Sequence, residues 1–451
     1  PRMTTIEILA EAGVALARQP LTASQRHHAQ RAVVDWASAL LPGAVQAPAQ
    51  AVAQALADDL DHGRSRLASG RPATARAAAL VNGTAAHTVE VDDIYREAIY
   101  HPGAPTISAA WAVAQDVAAD GTQFLQAVVA GYELSTRIGT ALGRAHYRYW
   151  HNTGTVGCFG ATAAAAALYG LDSTRFAHAL ATAATFASGL QQAFRTDSMS
   201  KPLHAGRAAE AGVLAAQLAR AGVTGSAAVL DGETGLGRAL GERGAGGLDW
   251  SAALVDLGQV FHIEAMTFKN HACCGHTFAA IDGALALKQQ MAISADDIAS
   301  VQVATYRPAL EVAGHTQPRT AAEARFSLFY VVATALRFDR VRLAAFSDER
   351  LQDPQTRALM QRITLTVDPA IDVAFPARRA ARLTVTTHGG RTSSRLQPTR
   401  KGDPELPLSD ADLDDKFIEL AGPVLGAQRT KAVLGRLWSL DGARALPDFA
   451  A

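Results

Sequence analysis

Thr155-Val-Gly-Cys-Phe-Gly-Ala-Thr-Ala-Ala-Ala-Ala-Ala-Leu-Tyr169 is built almost wholly from small residues. Ala is the strongest helix former, and helices clothed in Ala and Gly can approach one another closely. The stretches on either side read the same way, with apolar positions three and four residues apart and Gly or Pro at the joints. Candidate helices cover 22–41, 74–89, 104–119, 122–143, 155–169, 173–193, 203–221 and 225–231. Residues 1–265 are therefore expected to form a large all-helical domain, a compact bundle.

The character changes after about residue 265. Ile298–Tyr306, Arg362–Asp368 and Arg382–His388 alternate apolar and polar residues as half-buried strands do. Thr392–Gln397 is expected to pair with the last of these through the Gly389-Gly390 turn. Helical pattern interleaves at 277–290, 320–337 and 354–361, so 266–400 reads as a smaller α+β lid domain. Helices at 409–422 and 426–436 place residues 401–451 back on the helical domain. The expected class is mainly α with a smaller α+β domain. A solenoid of Ala-rich helix pairs fits poorly, because the spacing is irregular and the strands have no place in it.

The 451 residues, 49% hydrophobic, suffice for a sizeable core. Lys plus Arg and Asp plus Glu both total 42, so no net positive field holds a nucleic acid, and a small ligand is the better partner. Cys158, Cys273 and Cys274 make a poor disulfide framework and fit a reducing cytoplasm. Residues 1–19 carry Glu7, Glu11 and Arg18 and read as no signal peptide, and no apolar stretch reaches the roughly 20 residues that span a bilayer. No membrane segment is expected. Neither a GxxxxGK[ST] loop nor a strand-coupled GxGxxG occurs, so no nucleotide cofactor is implied.

Ionisable residues crowd into four short stretches at helix ends, where sites are usually built. The first, His87 to Gly103, holds four carboxylates, two histidines and an arginine, a set costly to bury unpaired. Composition alone favours a solvated loop with local ion pairs; the functional reading is a carboxylate holding a histidine in one tautomer for acid or base work. The second, Arg144 to Gly157, places His151 and Thr153 ahead of a helix whose Thr155–Gly157 N–H groups could receive a carboxylate. The bland alternative is an aromatic-flanked packing histidine. The third, Arg195 to Arg207, spaces Lys201, His204 and Arg207 every three residues, which suggests either an anion site or a solvated basic face. The fourth is Lys269-Asn-His271-Ala-Cys273-Cys274-Gly-His276. Zinc is rejected there, since adjacent cysteines rarely chelate one ion and no second Cys pair exists. No metal is expected.

Val81-Asn-Gly-Thr-Ala-Ala-His87 leading to Asp92-Asp93 and His101-Pro-Gly103, His151-Asn-Thr-Gly154, Ser200-Lys201-Pro-Leu-His204-Ala-Gly206, Lys269 with Cys273-Cys274-Gly-His276, and Leu406-Pro-Leu-Ser409 through Lys416-Phe417 together resemble the MmgE/PrpD family. That family includes 2-methylcitrate dehydratases, cis-aconitate decarboxylases and iminodisuccinate epimerases. The resemblance implies a large helical domain with an α+β lid, a homodimer, a site between domains and no metal or cluster. It places Glu90, Asp93, His101, His151, Lys201 and Lys269 in the pocket. The chain departs from the decarboxylase pattern at Glu90, where Asp is usual, at Ile94 in place of Thr, and by one extra residue between Asp93 and His101. Phe278 stands where many relatives carry a second histidine.

The chemistry expected is proton abstraction next to a carboxylate of a small polycarboxylate. The enolate charge that builds must face cations, for which Lys201 and Lys269 are the candidates. His101 and His151 are the candidate acid and base, and Asp93 the candidate orienting partner. Glu90, Thr153, His204, Arg207 and His276 are the candidate substrate-binding residues. A carbon–oxygen lyase is the first expectation, an epimerase the second and a decarboxylase the third. A non-catalytic metabolite- or partner-binding helical protein is the rival from another class.

Overall fold

The computed structural model describes residues 3–194, 198–241 and 248–450. The chain divides into two compact units, Pro1–Thr267 with Ser409–Ala451, and Phe268–Leu408. It is mainly helical with a smaller α+β part.

In the first unit the helices Thr5–Arg18, Ala23–Ala44, Ala75–Ala86, Gly121–Tyr147, Ser173–Phe186 and Asp410–Leu425 begin with a side-chain cap. Thr4, Thr22, Thr74, Asp120, Asp172 and Ser409 each accept the N–H of the residue three positions on. The Gly157–Leu168 helix is buried from Gly157 through Ala166. Its Cys158 packs with Ala183 of Ser173–Phe186 and with Ala208, Ala211 and Ala215 of Ser200–Arg220. Gly83 marks a close crossing, because a Cβ there would stand 2.9 Å from Gly206 Cα. Any larger residue would force the helices apart. Gly121–Tyr147 kinks at Gly143, where φ is +69°, at the expected end of the 122–143 helix.

The first region is not purely helical: β1 (Leu60–Arg66) and β2 (Pro72–Ala73) form a small antiparallel hairpin. Residues 225–231 form turns, with Val229 N–H on Ser226 O and Gly232 N–H on Ala228 O. Gly225, Gly232 and Gly235 favour such turns over a helix. The expected 173–193 helix stops at Phe186, ahead of Gly189 at φ +126° and a short 3-10 turn, Gln191–Phe194.

The second unit is built on a four-stranded sheet, β3 (Ile298–Thr305), β4 (Ile363–Val367), β5 (Ala381–Thr387) and β6 (Thr392–Gln397), in the order β4-β3-β5-β6. β3 runs parallel to β4 and antiparallel to β5, and β5 is antiparallel to β6. In β5, Ala381, Leu383, Val385 and Thr387 are buried and alternate with more exposed residues. This is the period-2 pattern of a sheet covered on one face. Gly390, at φ +80°, closes the β5–β6 turn. The expected 320–337 helix is two, Ala321–Ala324 and Leu328–Phe338, because Ser327 caps the second by accepting Tyr330 N–H.

Candidate functional site

Three chain segments of the first unit meet at helix ends. His87 ends the Ala75–Ala86 helix. The irregular segment after it reaches His101, just ahead of the Gly103–Val117 helix. His151 precedes the single turn Asn152–Thr155 that leads into Gly157–Leu168. Lys201 and His204 occupy the first turns of Ser200–Arg220.

The imidazoles lie in ring contact. His87 and His101 have centroids 4.9 Å apart, His87 and His151 5.3 Å, and His151 and His204 5.2 Å. Asp92 Oδ2 lies 2.7 Å from His87 Nδ1, a hydrogen bond, and 3.4 Å from His101 Nδ1, within ion-pair distance. A carboxylate only accepts, so His87 Nδ1 carries the proton. His87 Nε2 is buried and without a hydrogen-bond partner among the described residues.

His151 and His204 face each other through Nδ1 and Nδ1 at 3.0 Å. Burial holds the His151 ring well below the usual histidine range, and the fields of His87, Lys201, His204 and His101 push the same way. Burial likewise takes His204 down to about 4, aided by His87 and Lys201. Both rings are neutral near pH 7. Lys201 pairs with Glu90. Glu90 sits at φ +60°, a conformation a non-glycine residue rarely adopts, and this turns the carboxylate to the lysine.

Asp93 is placed elsewhere than beside an imidazole. Its Oδ1 accepts Gly103 N–H at 2.9 Å and its Oδ2 accepts the Tyr132 hydroxyl at 2.7 Å. Burial and the Asp35 charge push its carboxyl up to about 8, against the lowering effect of those two hydrogen bonds. Burial thus favours the protonated form of Asp93, whose hydrogen bond to Gly103 N–H pins the turn after His101. The carboxylate that orients imidazoles is its neighbour, Asp92.

Thr153 is buried and its hydroxyl accepts His101 N–H at 3.3 Å, so it fixes the backbone of that histidine. The N–H groups of Thr155 and Val156 do not point outward: they bond to His151 O and Asn152 O, because the helical turn starts earlier than expected. Arg207 is exposed and pairs with Glu210, since three-residue steps carry it round the helix from Lys201. Arg195 to Asp197 lie outside the described residues. Lys269 and His276 belong to the second unit. There Lys269 is buried, and its charge acts on the neighbouring Cys273 thiol. His276 Nδ1 lies 2.9 Å from the Tyr306 hydroxyl, and burial, with Arg379 and Arg400 nearby, takes the ring down to about 3.

Among the described residues, His87, Asp92 and His101 form a group whose donor atoms lie within 4.8 Å of one another. These are the residues that could hold a metal. The 2.7 Å separation of His87 Nδ1 and Asp92 Oδ2 suits a shared proton better, since two ligands at about 2.0–2.1 Å around one ion stand about 3 Å or more apart. Cys273 meets Thr277 Oγ1 at 3.2 Å instead.

His87 and Asp92 stand in the first motif, but the sequence alone assigns them no role. Their five-residue separation across a helix end gives no periodic signal. Lys416, in the closing motif, carries no sequence-assigned role either. Its ammonium is buried and donates to Asp35 Oδ1 at 2.6 Å and to Val91 O at 2.7 Å, so the Asp410–Leu425 helix anchors the loop that carries Asp92.

Residues 7–245 match the MmgE/PrpD N-terminal domain and residues 271–440 the MmgE/PrpD C-terminal domain. The chain is 27% identical to human cis-aconitate decarboxylase over 374 residues, covering 81% of this chain and 76% of that protein. It is 24% identical to the cis-aconitate decarboxylase of Aspergillus terreus over 385 residues, 81% of this chain and 78% of the other. It is 34% identical to the 2-methylcitrate dehydratase of Cupriavidus necator over 123 residues, 26% of this chain and 25% of that one. With both domain models matched in order along the chain, this protein belongs to the MmgE/PrpD family.

Proposed function

We propose that this protein is a lyase that acts on a small di- or tricarboxylate by moving a proton at the carbon next to a carboxylate. The observation that carries the reading is one cluster in the first unit holding His87, His101, His151 and His204 with Asp92 and the Glu90–Lys201 pair. Neutral imidazoles can accept a carbon-bound proton, and a lysine ammonium stabilises the enolate that results.

In this reading His151 meets His204 through Nδ1 and so exchanges its proton with substrate through Nε2. His101, steered by Asp92, is the opposite partner, acid where His151 is base. Lys201 pairs with a substrate carboxylate in place of Glu90. Lys269 is carried over from the family pattern as a second cation. Loss of hydroxide from the carbanion is the first outcome we assign, which makes the enzyme a carbon–oxygen lyase. Decarboxylation is the second reading, favoured by the cis-aconitate decarboxylases that are similar over about four fifths of the chain. A homodimer in a reducing cytoplasm is the proposed setting, supported by the family resemblance and by three free cysteines. Light scattering tests the dimer.

The deciding experiment incubates the purified protein with citrate, 2-methylcitrate, cis-aconitate and iminodisuccinate analogues in deuterated water under NMR observation. Elimination supports the first reading and carbon dioxide loss the second. Exchange or inversion alone makes the protein an epimerase. Binding without turnover of any compound sinks the enzymatic interpretation.

A further inference from the structure

His151 and His204 are joined by a contact that a role for His204 in holding substrate does not explain. Their Nδ1 atoms are 3.0 Å apart, a hydrogen-bond distance between two atoms each of which is a donor only when protonated. One proton must lie between them: two would clash, and none would leave two lone pairs opposed. The tautomers of the two rings are therefore coupled.

The surroundings hold the pair in register. His151 N–H donates to Gly189 O at 2.9 Å. Gly189 has φ +126°, and a Cβ there would stand 3.2 Å from His204 Cγ and Nδ1. Gly154 is confined too, with a hypothetical Cβ 2.4 Å from Ser188 O and 3.2 Å from His204 Cβ. His151 is buried, whereas His204 is half-buried. The pair thus runs from the interior of the cluster toward its edge.

We propose that His204 relays protons between His151 and solvent, and that the shared Nδ1 proton switches His151 between base and acid. The inference rests on the function proposed above. Before turnover His151 carries Nδ1–H, donated to His204 Nδ1, and its Nε2 is bare. When Nε2 takes a proton from substrate carbon, the C–H electron pair stays on carbon. The Nδ1–H then passes to His204 Nδ1, and His204 releases its Nε2–H to water. Charge on both rings returns to zero. His151 now presents Nε2–H, an acid, and His204 donates to it. The reverse passage resets the pair. Burial disfavours a lasting charge on either ring, in keeping with passage of the proton and not its storage.

Two measurements test this positioning role. In protein labelled with ¹⁵N-histidine, a through-hydrogen-bond coupling should join His151 Nδ1 to His204 Nδ1, and both rings should have neutral shifts at pH 7. Absence of that coupling overturns the relay. In the second, His204→Asn keeps a hydrogen-bonding partner for His151 but cannot pass a proton on. With the substrate that responds among cis-aconitate, citrate and 2-methylcitrate, it should lower kcat about 10-fold or more while KM stays within about two-fold. His204→Ala should lose as much and regain part of it with added imidazole. Wild-type kcat in His204→Asn would show a merely structural contact and overturn the proposal. A wild-type protein inert toward all three compounds would overturn the proposed function, and the coupling alone would then decide the shared proton.

Discussion

His101 and His151 both turn Nδ1 toward a polar neighbour, but the neighbours differ. Asp92 lies beside His101 and also holds His87, so that side of the cluster is anchored by a negative charge. His151 meets a second imidazole, and its neighbours are His87, Lys201, His204 and His101, each of which disfavours a further positive charge. A histidine beside a carboxylate can keep a proton; one beside another histidine must hand it on. Two rings of the same chemistry are thereby given different work by what stands behind them.

That contrast can be broken. Removing either ring has the largest expected effect: His101→Ala and His151→Ala should each lower kcat by about 10²-fold or more in steady-state assays, with Lys201→Met similar. Equal activity in both histidine variants and wild type would sink the acid–base assignment. Asp92→Asn should cost about 10-fold or more by removing the charge that orients His87 and His101, whereas Asp93→Asn should cost far less. Comparable losses in the two would mean that the neighbouring carboxyls share one role. Lys269→Met, in the second unit, is expected to lower kcat at unchanged melting temperature.

Smaller effects sharpen the comparison. Gly189→Ala places a side chain at φ +126° against His204, and should destabilise by about 1–3 kcal/mol in denaturant melts while lowering kcat. Asp93 gives a signed pH dependence. Its carboxyl is raised in the folded state to about 8, so the folded protein holds one more proton than the unfolded chain between about pH 4 and 8. The stability it contributes is full below pH 4 and falls as pH rises through that window. Asp93→Asn mimics the protonated acid and lacks this slope. Its melting temperature relative to wild type should climb from pH 5 to pH 8 and then level off; a constant offset would mean that Asp93 is ionised.

Much of the fold was legible from local pattern. The capped helices of the first unit follow from Ser, Thr and Asp placed ahead of apolar runs, and β5 and β6 from alternation around Gly389-Gly390. The stop at Phe186 was not, because its cause is distant: Gly189 bends where it must meet His151 and clear His204. The sequence also picked out most of the residues that gather, since His101, His151, Lys201 and Glu90 stand in motifs at helix ends.

Periodicity and motif order were enough to give the class of fold, the family resemblance and the inventory of imidazoles, carboxylates and lysines. Only the tertiary structure decided which carboxyl meets which ring. Asp92 and Asp93 are adjacent in the chain, yet one hydrogen-bonds His87 beside His101 and the other is buried against Tyr132 and Gly103, where burial raises its carboxyl. Hydrogen-bond partnership and burial set the charge of such groups, and both depend on residues far away in sequence, such as Tyr132 and the Lys416 that holds Val91.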